Sequence, residues 1–265
     1  MAEARLDVAM TERGLARSRT HAAKLIADGL VTVDGEGVVK ASAKVRDDQR
    51  IDVVEIDRYV SRGAYKLIGA LDTFGVPVQG RVAMDVGAST GGFSQVLLER
   101  DARLVIAIDV GHGQLAPELE REPRLRSFEG INARALTAEV LAALLGEPAR
   151  PDLVVGDLSF ISLRTVLPAL VETAADGADF VLLVKPQFEV GRTGIREGIV
   201  RDPALRADAV ANVLWAAQDL GIGTAGIVPS TIVGSQGNHE YLVWLSATTG
   251  RNPTEWLDAV TEVTR

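Results

Sequence analysis

The segment Val82–Ser94 constrains the fold of this chain more than any other. It reads VAMDVGASTGGFS, an apolar run that reaches an acidic residue and is followed by a glycine-rich turn. The apolar residues predict a buried parallel strand, the glycines let the backbone approach a ligand closely, and a helix is expected from Phe93. Similar turns also join strands to helices in proteins without a ligand there. The segment therefore predicts a strand-turn-helix unit and permits, without requiring, a ligand site.

Seven apolar segments predict strands, and helical patterns lie between most of them. The predicted strands cover residues 82–86, 104–109, 125–129, 153–156, 180–184, about 224–228 and 241–246. Strands that alternate with helices indicate an α/β domain with a doubly wound, Rossmann-like sheet. Ligands bind such sheets beyond the carboxyl ends of the strands. We expect the polar residues at these ends to converge, namely Asp85, Asp109, Asp157 and Lys185.

The first 58 residues predict a separate, small α+β domain. Two short helices are expected, the second capped by Ser18, followed by small strands at 31–33, 38–39 and 50–55 around a turn at 34–37. Residues 1–50 carry nine basic and eight acidic side chains, whereas the whole chain has a net charge of −8. This asymmetry favours two modules, with a linker at 59–65 and the α/β domain at 66–265.

Composition argues against several classes of protein. The chain has no cysteine and only three histidines, so disulfides and thiolate metal sites are excluded and we expect no metal centre. No apolar run approaches the roughly 20 residues that span a bilayer, and no signal-like segment opens the sequence. We therefore expect a cytoplasmic protein without stable membrane insertion. The negative net charge is unusual for a nucleic-acid binder, so the location of the basic residues matters more than their total.

Asp109 ends a predicted strand 18 residues after Gly91. A carboxylate there can accept hydrogen bonds from both ribose hydroxyls of a nucleoside, and capping a helix is its alternative role. Asn132, after the next strand, can reach an adenine base or simply form a turn. The glycine turn departs from the Gly-x-Gly-x-x-Gly spacing of dinucleotide sites, which disfavours a dinucleotide-dependent oxidoreductase. A methionine-derived sulfonium nucleoside, which has no pyrophosphate, fits the turn better.

Two strands that should be buried end in charged residues. Asp157 follows an apolar run in PDLVVGDLSF, and Lys185 follows five apolar residues in FVLLVKPQFE. A buried lysine is unfavourable unless it is paired, so a purely structural ion pair between these two residues is the simplest explanation. Two further charged residues are not explained by this ion pair: Glu240 begins the last strand, and Lys66 begins the second module.

Two groups of motifs resemble known families. Arg5-Leu-Asp and SRTHAAKLIADGLVTVDG (18–35) resemble the S4 RNA-binding domain, first known from a ribosomal protein, over residues 3–56. Lys66, Asp157, Lys185 and Glu240 resemble the Lys-Asp-Lys-Glu tetrad of FtsJ-like ribose 2′-O-methyltransferases. The motifs SRGAYKL, DVGASTGGFS, GDLSF, VKPQFE and GNHE occur in the matching order. The whole chain is therefore similar to the TlyA family of rRNA methyltransferases.

This resemblance implies an enzyme that uses S-adenosyl-L-methionine to methylate cytidine 2′-hydroxyls, with ribosomal RNA or ribosomal subunits as partners. The predicted catalytic residues are Lys66, Asp157, Lys185 and Glu240. The predicted cofactor-binding residues are Asp85, Gly87, Ser89, Thr90, Gly91, Gly92, Phe93, Asp109, Asn132 and Asp157. The predicted RNA-binding residues are Arg5, Arg17, Arg19, Lys24, Arg62, Arg192 and Arg196.

Several roles stay open at the level of sequence. Lys185 can accept the hydroxyl proton if burial and Lys66 outweigh the neighbouring carboxylates, or both lysines can stabilise developing oxyanion charge. Arg192 and Arg196 can contact RNA phosphate or lie in a solvent-exposed connection. The alternative functions are a non-catalytic RNA-binding assembly factor and a membrane-active hemolysin, a label that some members of the family carry.

Overall fold

The computed structural model describes residues 3–16, 18–53, 59–191, 194–195, 197–234 and 237–265. Within these ranges the chain forms an N-terminal module with its own hydrophobic core and a second module whose core lies on both faces of a sheet. Three predicted RNA-binding residues lie outside the described residues: Arg17, Arg192 and Arg196.

The N-terminal module combines two helices with two small antiparallel sheets. Its elements, in chain order, are β1 (Glu3–Arg5), α1 (Leu6–Glu12), α2 (Arg19–Ala27), β2 (Val31–Val33), β3 (Glu36–Gly37), β4 (Lys44–Arg46) and β5 (Ile51–Val53). Strand β1 pairs with β4, and β2 lies between β3 and β5. Helix α2 begins as predicted, because the Ser18 side chain accepts a hydrogen bond from the His21 amide.

Two details of this module differ from the prediction. The second hairpin strand is β3 at 36–37 rather than a strand at 38–39, because Asp34 and Gly35 both have positive φ angles, 52° and 86°, and form a two-residue turn. Strands β1 and β4 were not predicted. Each has three residues, too few to display an alternating pattern.

The second module alternates strands and helices. Its elements are α3 (Gly63–Phe74), β6 (Val82–Val86), α4 (Gly92–Glu99), β7 (Leu104–Ile108), β8 (Leu125–Phe128), α5 (Ala138–Leu145), β9 (Leu153–Gly156), α6 (Leu163–Thr173), β10 (Asp179–Val184), α7 (Pro186–Glu189), α8 (Pro203–Asp219), β11 (Gly223–Pro229), β12 (Tyr241–Ser246) and α9 (Leu257–Val263). The seven predicted strands are confirmed to within about one residue at each end. Helix α3 begins at Gly63, within the segment 59–65 where a linker was expected.

The strands form one sheet in the order β11-β12-β10-β9-β6-β7-β8. Strand β12 runs antiparallel to β10 and β11, whereas the pairs among β6, β7, β8, β9 and β10 are parallel. The sequence pattern did not reveal this reversal. It agrees with the connection between β11 and β12, whose described residues contain no crossover helix of the kind that joins parallel neighbours.

Helices pack on both faces of this sheet, which confirms the doubly wound architecture. Apolar residues of α6, α8 and α9 cover one face, and those of α3 and α4 cover the other. Every residue of β6 is buried, as expected for a strand covered on both sides. The winding direction reverses between β6 and β9, so the carboxyl ends of these two strands flank a crevice suited to ligand binding. In the described part of the chain, no helix has the length and apolar character needed to cross a membrane.

Candidate active site

Four charged side chains meet at the carboxyl edge of the sheet. Lys66 projects from α3, Asp157 and Lys185 follow β9 and β10, and Glu240 precedes β12. The Lys66 Nζ lies 2.6 Å from Oε2 of Glu240 and 3.6 Å from Oδ2 of Asp157. The Lys185 Nζ lies 2.5 Å from Oδ1 of Asp157. Charges of opposite sign therefore alternate along a chain, which we call the tetrad, in the order Glu240, Lys66, Asp157, Lys185.

The tetrad sets the protonation of its central members. The side chains of Lys66 and Glu240 are 6% and 3% exposed. Burial by itself would lower the pKa of Lys66, but the carboxylates of Asp157 and Glu240 outweigh burial and raise that pKa. Burial would raise the pKa of Asp157, but Lys66 and Lys185 hold it below its ordinary value. At neutral pH the centre of the tetrad is thus an ammonium of Lys66 beside a carboxylate of Asp157.

The glycine turn after β6 packs directly against Asp157 of the tetrad. Gly87 has a φ angle of 81°, and a Cβ at this position would lie 3.0 Å from the backbone oxygen of Asp157. Only glycine combines this conformation with so close an approach. A Cβ at Gly91 would overlap the Leu119 side chain, so Gly91 faces the protein interior, where it is the N-cap of α4.

A cavity of about 460 Å³, the donor cavity below, opens beyond β6, β7 and β8. Its volume lies in the range of small-molecule sites. Apolar side chains form much of its wall, among them Val110, Ile131 and Leu158. Five of the predicted cofactor residues line it: Gly87, Ser89, Asp109, Asn132 and Asp157.

Asp109 connects the glycine turn to the end of β7. Its Oδ2 accepts a hydrogen bond from the Ser89 amide and its Oδ1 accepts one from the Gly111 amide, both at 2.7 Å. Each carboxylate oxygen has a second lone pair, so Asp109 can also accept bonds from a ligand in the donor cavity. Asn132 accepts a hydrogen bond from the Arg134 amide through its side-chain oxygen and also lines the cavity. A role in the turn is therefore compatible with a contact to an adenine base.

Asp85 lies behind the cavity wall, in the core. It is fully buried within β6, and its Oδ2 accepts a hydrogen bond of 2.7 Å from the Ser94 hydroxyl on α4. Burial raises the pKa of Asp85 to about 7, although the hydrogen bonds from Ser94 oppose the shift. This geometry gives Asp85 a supporting position, in which it links the strand to the helix after the glycine turn.

Two further cavities adjoin the donor cavity at the tetrad. One of about 250 Å³ is lined by all four tetrad residues and by Arg62, Thr90, Gly92 and Phe93 from the predicted set. Another of about 450 Å³, the acceptor cavity below, is lined by Lys185, Glu240, Ser159, Phe160 and Phe188 among others. Ser159 lines all three cavities, and its hydroxyl accepts a hydrogen bond of 2.8 Å from the Lys185 Nζ. A group held in the donor cavity can therefore meet a group held in the acceptor cavity beside Lys185.

Sequence reasoning missed Ser159, Phe160 and Phe188. The Phe160 side chain is 91% exposed, its φ angle is 64°, and its ring centroid lies 5.3 Å from that of Phe188. Positive φ at a bulky residue stores strain, and such strain clusters at functional sites. The signal available in the sequence was position, since these residues lie in GDLSF and VKPQFE, two of the motifs that carry the family resemblance.

The predicted RNA-binding residues of the first module also have structural partners. Arg5 and Arg19 both form ion pairs of 2.9 Å with the buried side chain of Asp7. Hydrogen bonds from Arg5, reinforced by Arg19, outweigh burial and lower the pKa of Asp7 to about 2. Arg19 is still 60% exposed and Lys24 is exposed on the same helix, α2. These two cations therefore remain accessible to a phosphate backbone.

Comparisons with known proteins agree with this geometry. Residues 59–247 match the FtsJ-like methyltransferase family, and residues 4–51 match the S4 domain. The 16S/23S rRNA (cytidine-2′-O)-methyltransferase TlyA of Mycobacterium tuberculosis is 51% identical over 251 residues, which cover 94% of this chain and 91% of that protein. Hemolysin A of Brachyspira hyodysenteriae is 36% identical over 239 residues, which cover 90% of this chain and 98% of that protein.

A solved structure described as a hemolysin from Streptococcus thermophilus has the same fold. The two chains are 37% identical with a TM-score of 0.76, and the match covers 100% of this chain and 95% of that one. The FtsJ-like match includes the glycine turn, the donor cavity and the whole tetrad. The chain therefore belongs to the FtsJ-like methyltransferase family and carries an S4 domain in its N-terminal part.

Proposed function

We propose that this protein is an S-adenosyl-L-methionine-dependent ribose 2′-O-methyltransferase that acts on cytidine in ribosomal RNA. The observation that carries the proposal is the tetrad, which lies where the donor and acceptor cavities meet. The similarity to the TlyA protein of M. tuberculosis supports cytidine as the target nucleotide and ribosomal RNA as the target RNA. The S4 domain supports RNA as the partner.

The donor cavity fits S-adenosyl-L-methionine. All four residues named next line the cavity: Asp109 is proposed to accept bonds from the ribose hydroxyls, Asn132 to contact the adenine, and Val110 and Leu158 to enclose the base. The Asp157 end of the cavity borders the tetrad, where the reacting part of the cofactor would lie. When bound, the cofactor supplies a methyl group activated by a positively charged sulfur.

The acceptor cavity is proposed to hold the target nucleotide. The Phe160 ring is exposed at its edge and offers a flat apolar surface for a base, since single-stranded bases commonly stack on aromatic side chains. Arg19 and Lys24 on α2 supply cations for the RNA backbone. Arg17, Arg192 and Arg196 are proposed for the same purpose from the sequence alone.

Lys185 is the proposed contact to the ribose 2′-hydroxyl, which is a poor nucleophile at neutral pH. Its Nζ is oriented by the Asp157 carboxylate and by the Ser159 hydroxyl, and it faces the acceptor cavity. From there it can accept the hydroxyl proton if its amine is neutral, or stabilise the developing charge on oxygen as an ammonium. Lys66 stays protonated between Glu240 and Asp157, so its proposed role is to fix Asp157 and, through it, Lys185.

One experiment tests the reaction and the target together. Small subunits, large subunits and free ribosomal RNA from cells that lack the protein are incubated separately with methyl-labelled S-adenosyl-L-methionine and the full chain, and the ribose methylation is mapped. We expect label on a cytidine 2′-oxygen with the wild-type protein and a rate of labelling at least about 100-fold lower with Lys185→Ala. If neither subunit nor the free ribosomal RNA is labelled, the proposal is wrong. Label on a base instead of a ribose would also overturn it.

A further inference from the structure

The helix that follows Lys185 also touches the far end of the loop that carries Asp157. From these contacts we infer that Glu189 is a positioning residue, which holds residues 157–162 in the conformation that presents Asp157 and Ser159 to Lys185. The inference rests on the proposed methyl transfer and deepens it. Glu189 does not line the donor or acceptor cavity, so it acts through other residues.

The Glu189 carboxylate is held at the start of α6. Its Oε1 accepts a hydrogen bond of 2.7 Å from the Leu163 amide, and its Oε2 accepts one of 2.6 Å from the Ser162 hydroxyl. The side chain is 1% exposed, and the Arg164 Nε lies 3.6 Å from Oε2. Burial raises the pKa of Glu189 although these partners favour the charged form. A carboxylate buried this deeply is unfavourable unless its bonds are made, which indicates a specific purpose.

Segment 185–189 contacts the loop at three successive points. Lys185 reaches Asp157 and Ser159 at the start of the loop, and the Phe188 ring packs against Phe160 in its middle. Glu189 then fixes the end of the loop, where α6 begins. The short helix α7 therefore links Lys185, the proposed contact to the substrate hydroxyl, to the start, the middle and the end of the loop.

The conformation of Phe160 explains why the loop needs an anchor at its far end. A φ angle of 64° at a phenylalanine is strained, and such a residue persists only when its surroundings enforce the conformation. The enforcing contacts are the bond between Lys185 and Ser159 on one side of Phe160 and the Glu189 bonds on the other. Without the Glu189 bonds, relaxation of Phe160 would move Ser159 and Asp157 away from Lys185.

Glu189→Gln is the direct test, because the amide keeps the shape of the side chain but loses its charge and one acceptor. We expect kcat for subunit methylation to fall about 10- to 100-fold, the scale of a small misplacement of reacting groups. The affinity for S-adenosyl-L-methionine, measured by calorimetry, should fall by less than kcat, because Asp109 and the glycine turn are untouched although residues 157–161 also line the donor cavity. Ser162→Ala removes one of the two bonds and should lower kcat less, in the same direction.

Glu122→Gln is the matched control, since Glu122 also accepts bonds from a backbone amide and a side chain, both of Arg124, but lies away from the tetrad. It should leave kcat unchanged.

A double-mutant cycle between Glu189→Gln and Ser159→Ala separates positioning from general stability. We expect the kcat of the double variant to be no lower than that of the worse single variant. Additive losses, or a normal kcat in Glu189→Gln, would overturn the inference. An inactive wild-type protein would instead refute the proposed function.

If Glu189→Gln does not fold, Ser162→Ala alone decides. Its hydroxyl is one of the two groups through which Glu189 acts and also caps α6 by accepting a hydrogen bond from the Arg164 amide, whereas the bond between Glu189 and the Leu163 amide is kept. A kcat that falls by more than the cofactor affinity supports the inference. An unchanged kcat contradicts it.

Discussion

Lys66 and Glu240 form a buried ion pair across the sheet edge, with Nζ 2.6 Å from Oε2, although the two residues are 174 positions apart in sequence. Both side chains are almost completely shielded from water. In such a pair, loss of one partner leaves an uncompensated buried charge, which is far more destabilising than loss of both. The pair therefore ties the start of the second module to its last strand, in addition to any role in the reaction.

This relationship predicts a specific pattern of stability. Lys66→Met should lower the free energy of unfolding by about 3–5 kcal/mol, because it leaves the Glu240 carboxylate buried without its cation. The double variant Lys66→Met/Glu240→Leu should recover most of that loss while methylation stays absent. Urea unfolding at pH 7 measures the free energies. A double variant that is no more stable than Lys66→Met would show that the pair has no coupled role in stability.

Substitutions at Lys185 distinguish its two proposed roles. Lys185→Ala should reduce kcat by about 10²–10⁴-fold, the usual contribution of a positioned acid or base, while calorimetry finds cofactor affinity unchanged. Lys185→Arg keeps a cation that cannot be deprotonated in proteins. Complete inactivity of the arginine variant identifies proton transfer, and partial activity identifies charge stabilisation. Full turnover by Lys185→Ala would remove this residue from the mechanism.

Asp109→Asn should weaken binding of S-adenosyl-L-methionine by about 10- to 100-fold, which corresponds to one or two hydrogen bonds to a charged group. The shape of the side chain is kept, and one oxygen remains to accept a bond from the Ser89 or Gly111 amide. Titration calorimetry measures the dissociation constant of the cofactor. Lys185→Ala is the control, because its affinity for the cofactor should equal that of the wild type. Equal affinities in Asp109→Asn and wild type would contradict the ribose assignment.

The sequence predicted the strands of the second module because β6, β9 and β10 are covered on both faces and therefore read as unbroken apolar runs. The reversed direction of β12 was not predictable in this way. An apolar run looks the same in either direction, and orientation depends on which strand becomes its neighbour. The pairing of β1 with β4 was missed for a related reason, because three-residue strands depend on contacts rather than on pattern.

The same distinction applies to the site. Lys185 was identifiable because a charge directly after a buried strand is unusual. The direction in which the pKa of Lys66 shifts was not identifiable from the sequence, because it depends on the distances to two carboxylates, which only the fold determines. Phe160 and Glu189 were missed because a φ angle and a hydrogen bond to a helix terminus leave no trace in residue type.

Gly234→Ala should abolish methylation without unfolding the protein. A Cβ at this position would overlap the carboxylate of Glu240 and displace it from Lys66. Gly191→Ala is the matched control, because among the described residues, its chain neighbours aside, no atom lies within 4 Å of a Cβ placed there. We expect its turnover in the subunit assay to equal that of the wild type. Normal turnover by Gly234→Ala would show that Glu240 need not occupy its observed position.

Asp85 should make the stability of the protein fall as the pH rises. Its pKa is about 7 in the folded protein against an ordinary value of 3.8, so the folded state retains a proton that the unfolded state has lost. The associated stability is fully present below about pH 4 and is lost between about pH 4 and pH 7, with a total of about 4 kcal/mol.

Asp85→Asn removes this titration and preserves an acceptor for the Ser94 hydroxyl. We therefore expect the stability of wild type relative to Asp85→Asn to decrease from pH 4 to pH 8, until the variant is the more stable protein at the alkaline end. Urea unfolding of both proteins across this range provides the measurement, because other titrating groups cancel in the difference. A difference that stays constant with pH would mean that Asp85 is ionised in the folded protein at pH 4 and that burial does not control its protonation.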